Sequence, residues 1–160
     1  MVAKVTFTRN WNTVGHLFEF TIPDRLEEEI ANAVDRAAEI YTESILDVVA
    51  EQPSDWTPKS ADWTKRSGSS DLYYGKTGQF VVAVASAGKN TRGIRAKRGD
   101  KRVFVGARHD VKHHSGFSME QLAGLLNATP DGSRDLFRRA FDRVESQIDM
   151  IFERIGTFLK

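Results

Sequence analysis

The sequence predicts an α+β domain. In it an antiparallel sheet is packed by a long helix in the N-terminal half and by a long C-terminal helix, with a protruding basic hairpin loop. Three observations predict this. Apolar residues recur at helical spacing over residues 26–48 and again over 137–158. They alternate with polar ones in two short segments before residue 23. Two apolar runs of strand length, at 80–87 and 102–107, flank a segment rich in Lys and Arg.

The elements follow in order. Val5 and Phe7 fall on one side of residues 4–9, and Phe18, Phe20 and Ile22 on one side of 17–22. The intervening Asn10–Gly15 tolerates turn geometry, so residues 1–22 are expected to form a β-hairpin. Asp24 and Glu27 have the spacing of a capping box, and the acids through Glu29 suit the positive end of a helix dipole. Leu26, Ile30, Val34, Ala37, Tyr41, Ile45 and Val48 then form one stripe on a helix that runs to about residue 51. Pro53 and Pro58 bracket its end.

Residues 52–79 show little periodicity and read as a long loop. Phe80–Ala87 reads as a buried strand and Arg102–Ala107 as its antiparallel partner, with the basic loop 88–102 at one end. Ser118 is placed to cap a short helix over Met119–Leu126. The last helix is expected over Arg134–Leu159, with Phe137, Phe141, Val144, Ile148, Ile151, Ile155 and Phe158 in its stripe. Leu136, Ala140, Phe152 and Leu159 widen that stripe beyond a coiled-coil seam, which favours packing on the domain's own sheet. With no internal repeat, residues 1–160 read as a single domain.

At 160 residues, 40% hydrophobic and 28% charged, the chain is not of disordered composition. It has no apolar run of membrane-spanning length, so no membrane partner is expected, and residues 1–9 lack the apolar block of a secretory signal. The absence of cysteine excludes disulfides, a thiolate zinc site and a Cys nucleophile, and fits a chain made in a cytoplasm. The formal net charge is only +1, but its distribution is uneven. Between Asp24 and Asp55 ten acids oppose Arg25 and Arg36, a net of −8. Between Lys89 and Arg102 seven bases oppose Asp100, a net of +6. Poles of opposite sign can draw copies of one chain together or turn one side toward a polyanion.

Signs of catalysis are thin, and the chain reads as a non-enzyme with no cofactor. His109 and His113 would share a helical face, the arrangement a metal-dependent nuclease could use. The Glu that accompanies such a pair in zinc proteases is missing, and Gly106 and Gly116 argue for a loop, so no metal site is expected. Gly75-Lys-Thr-Gly78 holds only the tail of a phosphate-loop pattern. The basic segment is the sharper candidate. Lys89, Arg92, Arg95, Lys97, Arg98, Lys101 and Arg102 lie among small residues and could neutralise phosphates without reading sequence, or meet an acidic protein. Trp56, Trp63, Tyr73 and Tyr74 in the long loop are candidate anchors for a partner surface. The competing reading has them fold back over the domain's own core, most readily Trp56.

Two stretches resemble a known family. Trp56-Thr-Pro58-Lys-Ser60, Thr64-Lys65 and Leu72-Tyr-Tyr-Gly-Lys-Thr77-Gly78-Gln-Phe80 look like the middle region of tailed-phage virion-morphogenesis and tail-completion proteins. Leu122-Ala123, with Pro130-Asp-Gly-Ser-Arg134-Asp-Leu136-Phe137-Arg-Arg-Ala140-Phe141, is similar to that family's Pro-x-Arg-Pro-Phe-Leu segment before the terminal helix. The order of elements agrees over residues 24–160. Lys59 stands where Leu is usual, and Asp131-Gly-Ser lengthens the Pro-to-Arg spacing.

The resemblance implies a structural protein of the head-to-tail junction. Such a protein would form a homo-oligomeric ring, commonly a hexamer and alternatively a dodecamer, around the DNA channel in the virion neck, and would be assembled in the host cytoplasm. Implied partners are copies of itself, head-closure or portal-adaptor proteins, tail-terminator or tail-tube proteins, and packaged DNA touched without base preference. The alternative reading is a small cytoplasmic nucleic-acid-binding protein that uses residues 89–112.

Overall fold

The computed structural model describes residues 4–8, 15–21, 27–68, 70–72, 79–85, 102–107, 110–113, 116–127 and 134–157. In chain order these form β1 (Lys4–Thr8), β2 (Gly15–Thr21), α1 (Glu27–Glu51), α2 (Ala61–Ser67), α3 (Gln79–Ala85), β3 (Arg102–Gly106), α4 (Met119–Asn127) and α5 (Leu136–Thr157).

The expected α+β class, with a sheet as the bed for both long helices, is overturned. The body is predominantly helical and its core is built helix on helix. Helix α5 lies chiefly on α1, while α1 also touches β3 and α3. The stripe on α1 is wider than one seam. Besides Ile30, Val34, Ala37, Tyr41, Ile45 and Val48, the helix buries Ala33, Ala38, Thr42 and Val49. At about 100° per residue these cover roughly half the circumference, which lets α1 serve neighbours on two sides. Small side chains at 33, 37 and 38 allow close approach.

The predicted strand at 80–87 is a helix over its described part, so the predicted antiparallel pair between it and 102–107 does not form. Phe80, Ala83 and Val84 are buried while Val82 is 61% exposed, the i, i+3, i+4 pattern of a helical face. A short apolar run rich in valine is ambiguous by period, and here packing against α1, α4 and β3 prevails over strand propensity. Strand β3 pairs instead with β2 in antiparallel register, Phe18 opposite Val103 and His16 opposite Val105. β2 pairs with β1, Phe7 opposite Phe18. The predicted hairpin between 80–87 and 102–107, with the basic loop at its end, is therefore not formed by these two segments. Residues 88–101 themselves lie outside the described residues.

Two hydroxyls join α1 to α5. The Tyr41 phenol donates to the Phe137 carbonyl at 3.0 Å, and the Ser44 hydroxyl to the Ala140 carbonyl at 2.8 Å. The Arg143 guanidinium reaches the Glu51 carboxylate further along both helices, at 2.9 and 2.6 Å. The three ties rise together, 41 to 137, 44 to 140 and 51 to 143, so the helices run in the same sense. The Tyr41 ring meets Phe141 edge to face, with centroids 5.9 Å apart. Burial holds the Tyr41 phenol far above its ordinary pKa, so it remains a donor.

Helix α4 begins with a reciprocal cap. The Ser118 hydroxyl accepts from the Gln121 N–H at 3.1 Å, and the Gln121 side-chain oxygen accepts from the Ser118 N–H at 3.0 Å. Gly116, at φ 89°, makes the turn before it, where a side chain would be strained.

Phe141→Ala should lower the unfolding free energy by about 3–5 kcal/mol in urea titrations, and Tyr41→Phe by about 1 kcal/mol. A negligible change for Phe141→Ala would contradict helix-on-helix packing at this seam.

Candidate interaction surface

The long segment after α1 is not a free loop. It forms a strap over the ends of α1 and α5, and its local chemistry explains how. Helix α1 stops at Gln52, which has φ 47°, an uncommon conformation for a residue with a side chain. Its side-chain amide justifies the position. The Gln52 NH2 group donates to the Val49 carbonyl at 2.6 Å and the Leu72 carbonyl at 2.8 Å, while its oxygen accepts from the Leu72 N–H at 2.7 Å. One side chain thus caps α1 and pairs with both backbone groups of a residue twenty positions on.

Between these points the chain turns at Pro53, whose carbonyl accepts from the Trp56 N–H at 3.0 Å. Ser60 then caps α2, accepting from the Trp63 N–H at 3.3 Å, and Gly68 at φ 67° ends it. Ser60 and Gly68 were the sequence signals for this helix inside the supposed loop.

Arg134 fastens the strap from the other side. It is 7% exposed, and its guanidinium donates to the Thr57 carbonyl at 2.7 Å and the Pro58 carbonyl at 2.8 Å. A planar fork suits two successive carbonyls, as a lysine would not. Nearby, burial and the Arg134 charge lower the Lys59 amine's pKa, while Asp71 acts against that shift. Arg139 bridges the Asp55 carboxylate, at 2.6 Å, and Asp135, at 3.2 Å, and Arg138 also pairs with Asp135.

Two of the four aromatic candidates can be placed. Trp56 is buried in the core under the strap, and Trp63 is partly buried against that core. Tyr73 and Tyr74 lie outside the described residues. So do Lys89, Arg92, Arg95, Lys97, Arg98 and Lys101 of the basic segment, while Arg102 opens β3. His109 lies outside them as well, and the His113 N–H donates to the Phe117 carbonyl at 2.8 Å in a turn before α4. Among the described residues no three potential metal ligands converge. No described helix is long and apolar enough to cross a membrane.

The described surface carries an acidic ridge on α1. Glu39, Glu43 and Asp47 recur every fourth residue, exposed, on the side away from the core. Farther along, Glu51 is occupied by Arg143. The hydrogen bond from Arg143 holds the Glu51 carboxyl below the usual range, and that from Arg139 does the same for Asp55. Searches of protein-family models, of curated proteins and of solved structures find no match to this chain.

The clasp makes two measurable statements. Arg134→Ala should cost about 2–4 kcal/mol of stability, because it leaves the Thr57 and Pro58 carbonyls without these donors. Arg134→Lys should recover only part of that loss in the same urea titration. The ion pairs make a pH statement. A lowered carboxylate pKa contributes stability above the unfolded-state value and loses it as pH falls through the folded value. The melting-temperature gap between the parent chain and Glu51→Gln/Asp55→Asn should therefore shrink as pH drops below about 4. A gap that stays constant from pH 7 to pH 2.5 would contradict the pairing.

Proposed function

We propose that this chain is a structural protein of the tailed-phage neck, forming a homo-oligomeric ring that joins the head and portal complex to the tail around the DNA channel. One observation carries the reading. The two short stretches that carry the family resemblance lie 76 residues apart at Arg134 and Pro58, yet they meet through the Arg134 guanidinium on the Thr57 and Pro58 carbonyls. Two degenerate motifs that touch act as one structural unit, which is what a shared fold would require of them. The exposed acidic ridge on α1 adds support. A ring repeats one heterologous contact until it closes, and an acidic face on a chain that also holds a net +6 segment can supply both halves of such a contact.

In this reading the work is done by surface complementarity, with no cofactor and no bond made or broken. Residues 89–102 either meet the acidic ridge of a neighbour or lie beside DNA, neutralising phosphates without base preference. The fastened strap ties the chain leaving α1 to the residues that lead into α5.

Localisation by labelled antibody in electron micrographs of virions tests the proposal. Signal at the head-to-tail junction is expected, and absence of the chain from purified particles would overturn it. Reversing Arg95, Lys97 and Arg98 to Glu should block particle completion and leave the isolated subunit's melting temperature nearly unchanged, since in this reading these charges serve contacts between molecules and not the subunit's own fold. Normal infectious particles from that variant would remove the basic segment from the mechanism. Micromolar binding of duplex DNA by the monomer, falling steeply with salt, would instead favour a cytoplasmic nucleic-acid-binding protein.

A further inference from the structure

We draw no further inference here: the strongest candidate, the exposed acidic ridge of Glu39, Glu43 and Asp47 along α1, is a row of carboxylates for which nothing among the described residues indicates what covers it.

Discussion

The same-sense pairing of α1 and α5 constrains everything else in this molecule. Two hydroxyls on α1, Tyr41 and Ser44, reach carbonyls in the first turns of α5 that are already engaged within their own helix. A carbonyl has two lone pairs, so the added donors satisfy buried hydroxyls without breaking the helical ladder. The donors and the acceptors share one spacing, 41 to 44 and 137 to 140, so both ties lie along one line of the seam. Apolar burial holds the helices together, and these polar ties satisfy the two hydroxyls buried between them.

Helices that run in the same sense cannot be joined by a short turn. The chain leaving α1 at Glu51 must travel back along the molecule before α5 can begin at Leu136. The intervening stretch supplies α2, α3, β3 and α4, and its first part becomes the strap. Side chain to backbone bonds fasten the strap: Gln52 to Leu72, Arg134 to Thr57 and Pro58. Such bonds place the backbone whatever side chains it presents outward. A segment fastened this way can vary its outer surface while keeping its path, a useful property where one fold must fit changing neighbours.

The parts of this fold that a period can reveal were legible. Among the described residues, Ile30 to Val48 of the α1 stripe and Phe137, Phe141, Val144, Ile148 and Ile155 of the α5 stripe are buried, and Ser118 caps α4. Leu26, Phe158 and Leu159 lie outside the described residues. What failed was inference about partners. The stripe of α5 is broad enough for a sheet or for a wide helix, and α1 became wide through Ala33, Ala38, Thr42 and Val49, residues too small or too polar to count as a stripe. The valine-rich run in α3 is too short for its period to be read. Arg134 and Gln52 were beyond reach for another reason. Each acts on backbone groups, which every residue possesses, so no partner residue type in the sequence points to them. Trp56 was read both as a partner anchor and as a core residue, and the turn at Pro53 sets it in the core.

The relative direction of α1 and α5 is the most direct test. The chain has no cysteine, so spin labels can be attached uniquely at exposed positions by Glu29→Cys and Arg154→Cys. From the tie between Ser44 and Ala140, a rise of 1.5 Å per residue carries these two sites in opposite directions along the pair, roughly 40 Å apart in total. A pulsed dipolar distance distribution centred beyond about 30 Å is the predicted result. A distribution centred under about 20 Å would mean the helices run antiparallel, and the crossover, the strap and the joining of its two motif segments would lose their basis.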